Sequence, residues 1–177
     1  ATGTGTRAIQ GRAQSFTIAN AGTIAGPASG QAIVVYGNGT ATLTNAATGT
    51  IGGDVRFTDS DPQVATSTAR RNSSTTNAGR IDGSLLYGMG SHALANTGTI
   101  TGGITLNDVA ASRNTITLGT GSVIQGNIVA QGRGRNALVL TGAGTLASSV
   151  SDFTTLSAQG DAYTLAAGTT QSLSGGA

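Results

Sequence analysis

The chain contains no cysteine and no tryptophan, and only 2 of its 177 residues are proline. Without cysteine no disulfide can stabilise the fold, and the thiolate ligands of most structural zinc sites are missing. There is also no lysine and no glutamate, so all 9 basic residues are arginine and all 7 acidic residues are aspartate. Lys and Glu favour helices, whereas each of the 29 glycines would cost a helix interior about 1 kcal/mol. The composition therefore argues against helices.

Charge and aromatic side chains are scarce as well, at 9% and 3% of the residues. The net charge of +2 and the pI near 9.7 reflect a small excess of arginine, without the clustered basic and aromatic residues of a nucleic-acid surface. No apolar run reaches the roughly 18 residues of a membrane helix, and the opening ATGTGTRAIQ lacks a signal-peptide core. We expect a piece of a longer chain, with no nucleic-acid partner and no membrane insertion of its own.

What is present is a repeat of the form apolar-x-Asn-x-Gly-x-apolar-x-Gly-x-apolar, where the apolar residue between the glycines serves as an anchor. Successive anchors are separated by 27, 30, 19, 24 and 22 residues. Gly or Ser follows each anchor by two positions, and an apolar residue or alanine follows it by four. The six anchors are Ile24, Ile51, Ile81, Ile100, Ile124 and Leu146.

Within the repeat the apolar residues share one parity, with Thr, Ser, Asn, Gln and Gly between them. A period of two indicates strands with one face buried and the other in solvent. Hairpins would recur at shorter spacing, whereas a repeat of about twenty or more residues is typical of one turn of a solenoid. The sequence therefore predicts an all-β fold over residues 1–177: a single right-handed parallel β-helix of about seven coils.

The repeated asparagines and glycines predict a turn at the same place on each coil. Asn tolerates the left-handed backbone conformation and Gly adopts positive φ without steric cost. We expect the asparagines to stack, coil above coil, with the anchor side chains pointing into the interior; the alternative is that they mark ordinary turns. The predicted corner consists of Asn20, Asn45, Asn77, Asn96, Gly22, Gly79 and Gly98.

Uneven spacing of the anchors predicts loops that leave the rod. The longest expected loop runs from Phe57 to Thr75, and two shorter ones run from Leu85 to Ala93 and from Ala25 to Thr40.

The last third of the chain, from Asn114 to Gly168, resembles the passenger β-helix of bacterial type V autotransporters. The coil pattern L-x-L-x-G-x-G-x-L-x-G-x-I is matched around Ile124 and again around Leu146, and Phe153, Leu156 and Gly160 match the step that follows. Tyr163 stands where that family usually has tryptophan. The resemblance implies that residues 114–177 are C-terminal coils that approach the autochaperone region. It also implies an outer-membrane-anchored or secreted rod that has passed through the periplasm.

No set of residues indicates catalysis, and we expect no catalytic, cofactor-binding or metal-binding residue. The single histidine, His92, is expected to be a plain loop residue, and no G-x-S-x-G elbow presents a serine. Gly132–Leu140 resembles a calcium nonapeptide or a dinucleotide fingerprint only faintly, since Asn136 replaces the aspartate and a strand follows. Candidate contacts to an anionic ligand are Arg70, Arg71, Arg133 and Arg135.

These observations favour a non-catalytic structural or adhesive scaffold, a surface-exposed adhesin or virulence factor of the passenger type. Its expected partner is a host cell-surface or matrix component, or a second rod. One alternative is a glycan-active β-helix enzyme, a hydrolase or lyase that uses carboxylates. The candidate carboxylates are Asp54, Asp59, Asp61 and Asp82. A third possibility is an inert stalk that carries an upstream protease or esterase domain.

Overall fold

The computed structural model describes residues 7–27, 30–58 and 70–173, and these residues form twenty β-strands and no helix. The first three coils contain β1 (Ile9–Gly11), β2 (Ser15–Asn20), β3 (Thr23–Ala25), β4 (Gln31–Tyr36), β5 (Gly39–Asn45), β6 (Thr50–Gly52), β7 (Asp54–Thr58), β8 (Arg71–Asn77) and β9 (Arg80–Ile81). The next two contain β10 (Leu85–Tyr87), β11 (His92–Asn96), β12 (Thr99–Ile100), β13 (Ile104–Leu106), β14 (Arg113–Leu118) and β15 (Val123–Ile124). The remaining strands are β16 (Ile128–Ala130), β17 (Arg135–Leu146), β18 (Val150–Phe153), β19 (Thr155–Leu165) and β20 (Gln171–Leu173).

Every strand pairs in parallel with the strand one coil away, which gives sheets of eight, seven and five strands. The eight-stranded sheet has the order β1-β4-β7-β10-β13-β16-β18-β20. The seven-stranded sheet is β2-β5-β8-β11-β14-β17-β19, and the five-stranded sheet is β3-β6-β9-β12-β15. A parallel β-helix of about seven coils is thus confirmed, and antiparallel hairpins are excluded for the described residues.

Alternation along the strands explains why these residues wind into coils. In β8, every second side chain from Arg71 to Asn77 is buried and the others are exposed. Stacked coils bring equivalent inward side chains into columns, so each layer shields the next from water. The anchor column joins Ile24 to Ile51, Ile51 to Ile81, Ile81 to Ile100 and Ile100 to Ile124 in register. Ile51, Ile81 and Ile100 are fully buried, whereas Ile24 at the end of the column is partly exposed.

The last coils lose the break between the seven- and five-stranded sheets. β17 and β19 are 12 and 11 residues long, and they stay paired past a bulge between Thr141 and Ala143 up to Leu146 and Leu165. Leu146 is buried as the anchor of its coil.

We call the turn from the eight- to the seven-stranded sheet the first corner, and the turn from the seven- to the five-stranded sheet the second corner.

Two of the three loop predictions are wrong. The segment 85–93 supplies strand β10 and the start of β11, and the segment 25–40 supplies β4 and the start of β5. In the third, β7 continues to Thr58 and β8 begins at Arg71, while residues 59–69 lie outside the described part of the chain.

Glycine at the second corner is needed for a reason other than the one predicted. Gly22, Gly79 and Gly98 do not have positive φ, and Asp152 is the only described non-glycine residue that does. A Cβ on Gly98 would overlap the carbonyl oxygen of Gly79, and one on Gly79 would overlap that of Gly49. Close approach of neighbouring coils therefore requires glycine at these two positions, whereas a Cβ on Gly22 meets open space.

Candidate functional site

The second corner holds a buried ladder of asparagine amides in the first four coils. The Nδ2 of Asn20 donates to the Oδ1 of Asn45 at 2.8 Å, Asn45 donates to Asn77 at 2.8 Å, and Asn77 donates to Asn96 at 2.7 Å. Each amide also donates to a backbone carbonyl of its own turn, as Asn96 does to Gly98 at 2.9 Å. The ladder therefore satisfies buried polar groups, and its role is structural.

Tyr163 closes this corner near the C-terminal end. Its hydroxyl donates to the carbonyls of Leu118 and Gly119 at 3.2 and 3.1 Å, and its ring lies over Gly144. Burial raises the pKa of Tyr163. The aromatic position of the resemblance thus links coils that are far apart in sequence.

A second set of buried polar side chains, which the sequence analysis missed, lies at the first corner. Ser73, His92, Asn114 and Asn136 occupy successive coils in one inward column. Asn114 donates to Asn136 at 2.8 Å, and its own Oδ1 accepts the backbone N–H of His92 at 2.8 Å. Each of the four stands four residues before an inward residue of the second corner, so parity along the strand could have identified the column.

The expectation that His92 lies in a loop is wrong. His92 is the first residue of strand β11, and its side chain is buried. Its Nε2 lies 3.1 Å from the carbonyl of Gly88, which can only accept, so Nε2 carries the proton. Nδ1 then accepts from the Ser73 hydroxyl at 2.8 Å. The ring also packs on Tyr87, with the centroids 4.7 Å apart. A buried ring held in this way is part of the core.

Arg71 was predicted to contact an anionic ligand, and this prediction is wrong. Its side chain points inward and is only 1% exposed. The guanidinium donates to the carbonyls of Gly37, Thr40, Ala13 and Asn38 at 3.0, 3.2, 2.9 and 2.7 Å, and also to that of Tyr36. Burial lowers the pKa of Arg71. Bonds from all three guanidinium nitrogens therefore hold the first corner of the first three coils together.

The other three candidate arginines are exposed at the same corner. Arg70 directly precedes β8, Arg133 lies two residues before β17, and Arg135 is the first residue of β17. Arg135 is the register partner of Arg113, an exposed arginine that the sequence analysis did not single out. The structure thus places Arg113 beside Arg135 on adjacent coils, and Arg133 precedes Arg135 by two residues in the same turn.

Asp108 lies in the turn between β13 and β14 and stabilises the first corner near these arginines. It is 7% exposed, its Oδ1 accepts the backbone N–H of Gly134 at 3.1 Å, and its Oδ2 accepts the Asn114 amide at 3.2 Å. Both carboxylate oxygens of Asp108 are therefore bonded within the first corner.

A groove of about 360 Å³ opens on the outer face of the eight-stranded sheet beside the first corner. Its floor is formed by register partners on β7, β10 and β13, and its rim by residues that directly follow strands of successive coils. Gly88, which directly follows β10, is one of the residues at this rim. We call this the Gly88 groove; its lining residues are Arg56, Thr58, Leu86, Tyr87, Gly88, Met89, Thr105, Asn107, Asp108, Val109 and Gln131.

Two of the four candidate carboxylates of the enzyme alternative are described, and both make structural contacts. Asp54 accepts the backbone N–H of Ser84 at 2.7 Å, and Asp82 pairs with Arg80 at 2.5 Å. Asp59 and Asp61 lie outside the described residues. In the described part of the chain, no group of three or more His, Cys, Asp or Glu side chains could hold a metal ion.

No membrane-crossing helix occurs in residues 7–27, 30–58 and 70–173. No protein-family model, curated protein or solved structure gives a significant match to the chain.

Proposed function

We propose that the chain is part of the surface-exposed passenger of a bacterial type V autotransporter and acts there as an elongated, non-catalytic adhesive scaffold. The observation that supports this most directly is the continuous parallel pairing of strands from β2 to β19, which includes the C-terminal coils that resemble passengers. Such a rod is stabilised by contacts between neighbouring coils, and it can present its outward side chains over a long surface.

The hydrogen bonds of the buried polar side chains support the same proposal. The asparagine ladder, Arg71, His92 and Asp108 all bond to groups of neighbouring coils. In this proposal, binding is a property of the outward face. The partner is a host cell-surface or matrix component, or a second rod.

The test is to fuse the chain to a heterologous translocator barrel in an outer-membrane host. We expect protease-accessible rod on intact cells and increased adhesion to host cells or to other rod-bearing cells. Cells that carry the barrel alone are the control. A rod that is exposed but gives no adhesion above this control would contradict the adhesive role and favour an inert stalk. A rod that never reaches the surface would contradict the passenger assignment.

A further inference from the structure

The geometry points to a binding site for an acidic oligosaccharide, formed by the Gly88 groove together with Arg113, Arg133 and Arg135. The groove and the arginines are close in sequence: Gln131 lines the groove, and Arg133 follows Gln131 by two residues. This inference extends the adhesive part of the proposed function, and its test needs only the purified chain.

The paired arginines supply the first argument. Arg113 and Arg135 are direct register partners on β14 and β17, and both are exposed. Neighbouring strands lie about 4.8 Å apart, and like charges directly opposite each other destabilise a sheet. An anionic ligand that binds between them removes this repulsion.

The backbone that carries these arginines is held in place before any ligand arrives. The Gly134 N–H between Arg133 and Arg135 donates to Asp108, and the Arg135 N–H donates to the Ser112 carbonyl at 2.9 Å. A Cβ on Gly132 would overlap Asp108, so the turn packs tightly against it. A preorganised site loses less conformational entropy on binding.

The lining of the groove indicates the class of ligand. Arg56 supplies a further cation, Asn107 and Gln131 supply amides that both donate and accept, and Leu86 supplies an apolar floor. Asp108 also lines the groove, but both of its carboxylate oxygens already accept hydrogen bonds within the first corner. The volume of about 360 Å³ suits one or two sugar units. In the described residues the only aromatic side chain at the groove is Tyr87, which is buried, so no exposed ring offers the stacking platform that single-stranded nucleic acid needs. Carboxylate or sulfate groups on a hydroxyl-rich ligand match this set.

The test titrates the chain with a size-defined heparin oligosaccharide and with an oligogalacturonate of equal length, which separates sulfate from carboxylate recognition. We expect binding that weakens with added salt. Arg135→Gln and Arg56→Gln should each raise Kd by about tenfold, as expected for loss of a charged hydrogen bond. The matched control is Arg80→Gln, which removes the same charge at an exposed arginine of the five-stranded sheet.

The inference is overturned if neither oligosaccharide binds, or if Arg80→Gln weakens binding as much as Arg135→Gln does. It is also overturned if single-stranded DNA of equal charge binds as tightly, because the surface would then be a general polyanion patch. If Arg56→Gln behaves like the control, the groove has no part in binding and the site as stated is wrong. Each of these results leaves the surface-display assay free to support or contradict the proposed function on its own.

Discussion

Asn96 and Leu118 are register partners at the ends of β11 and β14, and the amide ladder stops between them. Because the side chain of Leu118 carries no amide, the Asn96 side chain donates instead to the Ser122 hydroxyl at 2.6 Å. The next residue of the column is Leu140, which is also buried. Over the same coils Asn114 and Asn136 fill the first corner, so the buried amides change corners midway along the rod.

Replacement of Asn77 by alanine should strongly destabilise the rod. The change removes the acceptor of Asn45 and the donor to Asn96, and both partners are buried. We expect a loss of about 2–3 kcal/mol in the free energy of unfolding, measured by urea denaturation. Asn107→Ala, at an exposed asparagine, is the control and should change stability by less than about 0.5 kcal/mol. Equal losses in both variants would contradict a stabilising ladder.

Alanine at Gly98 and at Gly22 should have opposite effects. A Cβ on Gly98 collides with the carbonyl of Gly79, which should cost about 1–3 kcal/mol. Gly22 has open space and no positive φ, so alanine there should stabilise by roughly 0.4–1 kcal/mol through the unfolded chain. Thermal unfolding of the two variants checks this, and a Gly98→Ala protein as stable as Gly22→Ala would contradict the close approach of the coils.

Arg71→Met should cost about 3 kcal/mol or more, because several buried carbonyls lose their donor. Arg71→Lys keeps the charge but has fewer hydrogen-bond donors, so its stability should lie between that of the wild type and that of Arg71→Met. The neighbouring variant Arg70→Met changes an exposed side chain and should be nearly neutral. Denaturant midpoints in that order support the structural role, whereas a larger loss for Arg70→Met would reverse it.

Tyr87 should make the protein sensitive to alkali. Burial raises the pKa of Tyr87, and the nearby Thr75 hydroxyl lowers it by a smaller amount, although neither hydroxyl makes a hydrogen bond of normal geometry. The folded-state pKa is therefore above the unfolded value of about 10. Below that pH the phenol is protonated in both states, and above it the unfolded chain ionises first, so stability falls as pH rises.

The measurement is the free energy of unfolding between about pH 8 and pH 11 for the wild type and Tyr87→Phe. The variant keeps the ring stacked on Phe57 and should be at least as stable at neutral pH, since the lost hydroxyl has no well-formed partner. It should also lose much of the alkaline decline. Tyr163→Phe is the comparison: it removes a phenol whose pKa is raised in the same direction but which is only partly buried. An unchanged alkaline slope in Tyr87→Phe would contradict the prediction.

Folding should begin in the C-terminal coils if the resemblance to passengers extends to folding. Ile124→Ser and Leu140→Ser should then slow refolding more than Ile51→Ser does, as measured by stopped-flow fluorescence with an extrinsic probe. Ile51 is a matched comparison for these two positions, because its side chain is fully buried in the N-terminal coils. Equal slowing by all three variants, at equal loss of stability, would contradict this order of folding.

Several features of the fold were readable from local pattern. The anchors at Ile51, Ile81 and Ile100 recur in phase, and this sufficed to predict their column and the asparagines beside it. The loop predictions for 25–40 and 85–93 failed because uneven spacing was interpreted as protrusion, whereas these residues form strands of the eight-stranded sheet. The groove could not be predicted, since it depends on which residues of four different coils become neighbours.

The sequence by itself determined that the chain would wind into parallel coils, because the alternation of apolar residues and the recurrence of the anchors are properties of the chain read in one dimension. Only the tertiary structure decided that Arg71 and Asp108 lie inside and that Arg113 and Arg135 become neighbours outside. A polar side chain is stable inside only where carbonyls and amides of neighbouring coils reach it, and that is settled when the coils stack.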